Sequence, residues 1–300
     1  MGMNKSRLEP IVFHTLNGAL MIFIAVVTLY PFLNTLAISF NAGNDTIRGG
    51  IYLWPREWTD QNYRAVFAGG TIFQAFGISV ARTVLGTILS LFLTSMLAYT
   101  LSRKDYILRK PITIVVVLTM YFSAGLIPTY FLMKDLHLLN NFLVYIIPGL
   151  ISAFNMIVIR TYIQTLPEGL IESAKIDGAG DFRTFISIIL PLCQPVLATV
   201  ALFVAVGQWN SWFDTFLYAS SKQNLSTLQY ELMKLLSSSM NSNSSAAVAN
   251  GADIGAARNM VTPVSIRAAI TIVAALPILI VYPFLQKYFV HGLQLGSVKE

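Results

Sequence analysis

Few residues of this sequence have the types and spacing that covalent chemistry needs. His14, His137 and His291 lie far apart and Cys193 has no second cysteine, so neither an intrachain disulfide nor a metal-ligand spacing exists. No G-x-x-x-x-G-K-[ST] loop, G-x-S-x-G elbow or H-E-x-x-H helix occurs, and the acidic residues sit mainly in loops. A nucleophile, base and orienting group are therefore not assembled anywhere in one stretch. The chemistry that the residues do support is noncovalent. Trp209, Asn210, Trp212 and Asp214 form the densest polar and aromatic group within apolar sequence. The two tryptophans, at i and i+3, would share a helix face on which rings can stack against the CH faces of a sugar while Asn and Asp serve its hydroxyls. The plainer alternative is a pair of interfacial anchors with an asparagine bonding a neighbouring helix. Arg82, a charge near one end of an apolar run, fits a snorkelling arginine better than a pathway residue.

The elements that carry these residues are membrane-spanning. Apolar residues make up 55% of the 300 and charged residues 11%, against about 25% charged in soluble domains, and mean hydropathy is +0.64. Such a chain lacks the polar surface to cover itself in water, which defines an all-α integral membrane protein. Six transmembrane helices are expected, near residues 12–37, 73–101, 111–133, 142–164, 196–219 and 264–288. The net charge of +6 does not indicate nucleic acid, because the basic residues cluster beside apolar runs. Lys5 and Arg7, with Arg103, Lys104, Arg109 and Lys110, place the N-terminus and the 102–110 loop in the cytoplasm, and six spans return the C-terminus there. The apolar run from Ile11 to Phe40 is too long for a signal-peptide core and is read as the first span.

Between the fourth and fifth spans lies a polar interruption, residues 165–195. Its pattern predicts two short helices. Thr165 with Glu168 reads as a capping box, Gly178 and Gly180 as a helix stop, and Asp181 as the next N-cap. Phe182, Phe185, Ile186 and Ile189 then fall on one face, and Pro191 and Pro195 end this helix or kink its continuation. The alternation of spans puts this knob on the cytoplasmic side. On the other side are two loops, residues 41–70, with Trp54 and Trp58 as an interfacial belt or a partner surface, and residues 220–263. Within the latter, Ser237 to Asn259 is rich in Ser, Asn, Ala and Gly and is expected to be mobile by itself.

Glu172, Ser173, Ala174, Asp177 and Gly178, followed by Ile188, Leu190 and Pro191, resemble the EAA loop of bacterial ABC-importer permeases, with Ser173 in place of the middle alanine. Ala98 to Arg103, Gly125 to Phe131, Trp209 to Trp212 and Tyr282 to Phe289 are similar to carbohydrate-uptake permeases, relatives of the smaller maltose-transporter permease in a complex-oligosaccharide branch. The resemblance implies a type I importer architecture of one transmembrane domain over residues 1–300 in the bacterial cytoplasmic membrane. It implies that the knob docks on an ATPase, with Glu172 paired to a basic residue there. It implies no cofactor of the chain's own, since ATP is held by two cytoplasmic ATPase subunits. Its other implied partners are a second, different permease, membrane lipid, a carbohydrate substrate and an extracytoplasmic solute-binding protein. In the maltose-type relatives a loop enters the binding protein's sugar site, and here Ser242, Asn243, Asn250, Gly251 and Asp253 would take that role. Two other classes have less support. A proton- or sodium-coupled secondary transporter usually shows buried carboxylates and an internal repeat, and Asp214 alone is little support. A membrane enzyme would need a catalytic constellation that the sequence lacks.

Overall fold

The computed structural model describes residues 5–68, 70–245 and 261–295. In chain order the helices are α1 (Lys5–Ser39), α2 (Gly43–Ile47), α3 (Gln61–Phe67), α4 (Thr71–Ser102), α5 (Arg109–Leu118), α6 (Leu126–Asp135), α7 (Ala153–Ile163) and α8 (Gly169–Ile176). There come next α9 (Asp181–Thr184), α10 (Leu190–Leu192), α11 (Gln194–Asn210), α12 (Phe213–Tyr218), α13 (Leu228–Ser245) and α14 (Pro263–Leu295). The described residues form two compact units, one drawn from the ranges 1–69 and 234–275 and one from 70–233 and 276–300.

The first unit contains α1, whose apolar residues are exposed all round from Val12 to Leu33. An apolar helix without an internal face has to be covered by lipid or another chain. Beyond it the backbone is organised by Asn41, which is fully buried. Its amide donates to Asp45 Oδ2 at 3.0 Å and Thr46 Oγ1 at 3.1 Å, and its carbonyl oxygen accepts from the backbone N–H of Arg56 and Glu57 at 2.9 and 3.0 Å. Asn62 completes the frame by donating to the carbonyls of Ser39 and Asn41, both at 2.9 Å. Trp54 and Trp58, 5.3 Å apart edge to face, remain exposed on this frame.

In the second unit α4 is the central rod. Its buried positions are mostly small, Ala75, Ser79, Gly86, Ser90, Thr94 and Ala98, and they let α7 and α11 approach its backbone closely. The main apolar core sits at one end, where Leu101, Met156, Ile159, Phe185 and Ile189 are fully buried together.

Three helices are long and apolar enough to cross a membrane, Val12–Ser39, Thr71–Ser102 and Pro263–Pro283. Two bent pairs, Phe142–Gly149 with Ala153–Ile163 at 49° and Asp181–Leu192 with Gln194–Asn210 at 83°, would bring the number to at most five among the described residues if each pair counts as one span. The expected third span, 111–133, is divided instead into α5 and α6. Gly125 adopts φ 86°, ψ 179°, which side-chain-bearing residues avoid, and Pro128 is accommodated in the first turn of α6. The expected fourth span begins as two 3₁₀ turns around Pro148 before α7. The expected fifth breaks after Asn210. Helix α14 continues through Pro277 and Pro283. The stretch from Ser237 expected to be mobile starts as the last turns of α13, to Ser245. Asn250, Gly251 and Asp253 lie outside the described residues, as do the side chains of Ser242 and Asn243.

Candidate functional site

The knob between α7 and α11 is built from its turn. The α8 helix ends on Gly178, at φ 75°, with the Gly178 N–H donating to the Lys175 carbonyl at 3.0 Å and the Ala179 N–H to the Ala174 carbonyl at 2.9 Å. These two bonds make a Schellman stop, and its left-handed residue has to be glycine or strained. A Cβ at Gly178 would meet nothing within 4 Å, so the requirement is conformational and not one of space. Ile171 and Ala174 face the core, whereas Glu172, Ser173 and Asp177 face outward, as does Ile176 with 86% of its surface exposed.

The expected capping box does not form. Thr165 Oγ1 donates back to the Tyr162 carbonyl at 2.7 Å, and Glu168 already has helical dihedrals and pairs with Lys104. The Lys104 hydrogen bond holds the Glu168 carboxyl below its usual range. Asp105 receives Arg103 and Lys175, each at 3.3 Å. Desolvation works to raise its pKa, but hydrogen bonds from Arg103 and Lys175 outweigh it and the carboxyl stays below the aspartate range. Two loops distant in sequence are thus fastened by charge, which the residue spacing did not reveal.

The second half of the knob departs from a regular helix. Residues Phe185–Ile189 form a π turn, so Phe185 and Ile189 are buried while Phe182 and Ile186 are exposed. Phe185 stacks on Tyr99 of α4 at 5.6 Å. Ile188 and Leu190 are half-buried, Pro191 is exposed, and the 83° bend falls at Cys193 between the two prolines. The four aromatic and aliphatic residues expected on one face therefore divide into two pairs, because a π turn uses more residues than an α turn.

At the other end of α11 the snorkelling expectation for Arg82 is overturned, since the residue is only 2% exposed. Its Nε and Nη2 donate to Gln208 Oε1 at 3.0 and 2.9 Å. Nη2 and Nη1 donate to Asp214 Oδ2 and Oδ1 at 2.5 and 3.1 Å, and Nη1 also to the Ser211 carbonyl at 3.5 Å. The guanidinium lies 4.5 Å above the Tyr145 ring. Two lone opposite charges in apolar sequence were the signal for this pair, because an intramembrane charge needs a partner.

The group at 209–214 does not act as one face. Because α11 ends at Asn210, Trp209 is buried edge-on against Phe76 at 5.9 Å, while Trp212 packs beside Phe213 at 5.7 Å. Asn210 is exposed. Trp209 also walls an apolar cavity of about 460 Å³ between α4, α11 and α14, with Val80, Val206 and Leu276. No group of His, Cys, Asp and Glu suited to a metal occurs among the described residues.

Comparison with known proteins gives the family. The binding-protein-dependent transport system inner membrane components match residues 107–295, and the chain belongs to that family. It is 38% identical to the polygalacturonan/rhamnogalacturonan transport system permease protein YtcP of Bacillus subtilis (strain 168), over 98% of this chain and 99% of that one. Protein LplC of the same organism is also 38% identical, over 92% and 91%. A solved structure of a bacterial ABC transporter involved in importing the acidic polysaccharide alginate superposes with a TM-score of 0.80 at 28% identity, covering 96% of this chain and 99% of that chain. The protein is accordingly a membrane-embedded permease subunit of an ABC importer, a transport component and not an enzyme.

Proposed function

We propose that this permease forms one half of a translocation pathway for oligosaccharides and couples it to a separate ATPase through residues 165–195. The observation that carries the reading is the knob. Its Gly178 stop holds α8 with Glu172 and Ile176 outward and Ala174 inward, and Phe182 adds a second exposed apolar residue, 63% exposed. A surface with an apolar tip and a carboxylate suits a groove lined by apolar side chains and a basic residue. ATP is bound by two cytoplasmic subunits and not by this chain. A second, different permease completes the pathway and covers apolar faces such as α1 together with lipid.

In this reading α5 and α6 together make one crossing, which brings the spans to six with both termini cytoplasmic, in accord with the basic residues at 103, 104, 109 and 110. Residues 220–263 face a solute-binding protein outside. The names of the relatives favour an oligosaccharide, and uronic acid-containing chains come first among candidates. The test is reconstitution of the whole complex in proteoliposomes. Binding protein loaded with oligogalacturonide should stimulate ATP hydrolysis and uptake, arabino-oligosaccharide less so, and reporters fused to either terminus should read cytoplasmic. Absence of stimulation by any sugar-loaded binding protein would defeat the reading.

A further inference from the structure

We propose that Arg82 is a positioning residue for coupling, pinning to α4 the end of α11 remote from the knob, so that movement of the knob works on α11 against a fixed point. The inference rests on the importer reading for its functional meaning, but its geometry stands separately.

Arginine has five N–H donors in a rigid fork. All five are used here, on Gln208, Asp214 and the Ser211 carbonyl. A guanidinium waiting for a substrate carboxylate would keep donors free. One occupied this completely acts as a fastening. Its partners mark one place in the fold, the break where α11 ends and α12 begins. The Ser211 carbonyl is freed by that break, and Asp214 lies in the first turn of α12. Arg82 therefore sits where the negative end of one helix dipole and a carboxylate converge. Gln208 continues the tie by donating Nε2 to the Tyr145 carbonyl at 3.2 Å. Gly86 makes room for it, since a Cβ there would stand 3.0 Å from Gln208 Nε2.

The other end of α11 carries the 83° bend and the knob. Its 17 residues make a rod of about 25 Å. Between the ends, α4 buries mostly small side chains, and the charged, directional bonds described between α4 and the α11 end gather at Arg82. With the remote end fixed, displacement of the knob becomes a tilt of α11; without it, the helix slides along α4 and the motion is lost.

The test uses the full reconstituted complex with spin labels at V84C and F203C, exposed positions on α4 and α11, in wild type, R82Q/D214N and G86A backgrounds. Removing both charges avoids leaving one buried alone, which by itself would disrupt folding. G86A keeps every charge and displaces Gln208, so it stands in if the double variant does not assemble. We expect R82Q/D214N to broaden the α4–α11 distance distribution and to lower the ratio of binding-protein-stimulated to basal ATP hydrolysis about fivefold at equal assembled protein, and G86A, which disturbs only the Gln208 arm of the tie, to move both in the same direction by less. A merely structural tie would lower the assembled amount and leave that ratio intact. Unchanged distances or an unchanged ratio in an assembled variant would overturn the proposal. If the wild-type complex shows no stimulation, the importer reading fails instead, and the distance distributions still decide whether Arg82 pins the helix.

Discussion

Asn41 shows how much one side chain can organise. Asn41→Ala would remove the acceptor of the part-buried Arg56 and Glu57 N–H groups, at about 1 kcal/mol for each bond lost. Trypsin should then cleave faster after Arg56, and the denaturation midpoint should drop. Asp45 in the same frame is held below the usual aspartate range by the Asn41 hydrogen bond, with the Arg56 hydrogen bond and charge adding to it against desolvation. A carboxyl lowered in the folded state contributes stability that is complete above the unfolded value of about 3.9 and is lost as pH falls through the lower folded value. Midpoints measured from about pH 7 to about pH 3 should fall in acid, and Asp45→Asn should start lower and flatten that limb. Trp209 is buried with its ring edge-on to Phe76, which makes packing its testable contribution. Trp209→Ala should cost about 3–5 kcal/mol and reduce the amount of assembled protein. Wild-type assembly with altered uptake would assign that ring to the pathway.

At the scale of elements, the knob was legible in its glycines and less so in its apolar residues. Gly178 reads as a helix stop from its type and neighbours, and it is one. The burial of Phe185 without Phe182 was not readable, because Phe185 stacks on Tyr99, a residue of another helix, from within a π turn that the apolar spacing does not announce. Gly178→Ala, with open space around it, should destabilise the turn by about 1–2 kcal/mol through its left-handed backbone alone. Gly178→Leu adds bulk on the proposed docking side. It should insert normally yet lose binding-protein-stimulated ATP hydrolysis; retained stimulation would assign Gly178 to the turn only. The third span departs from its expected form for a related reason. Hydropathy is continuous through 111–133, whereas α5 ends at Leu118 and α6 begins only after Gly125, whose backbone conformation composition does not report.

For the whole molecule, the segment between the fifth and sixth expected spans is the one proposed to face the binding protein. Replacing Ser242 to Ala256 by a few glycines should leave membrane assembly intact and impair uptake and sugar release. Transport at the normal rate with the cognate binding protein would remove this segment from the mechanism. Membrane class, the helical architecture and the place of the knob came from the amino-acid sequence by itself. These properties are local sums, of apolar content and of turn residues, that need no partner to be read. The partner of Arg82 was decided only by the tertiary structure. Gln208 and Asp214 stand 126 and 132 residues away, beyond any helical period. Whether a lone arginine snorkels to water or is neutralised in place depends on which helix end the fold brings to it, and here the break after α11 supplies both the carboxylate and the free carbonyl.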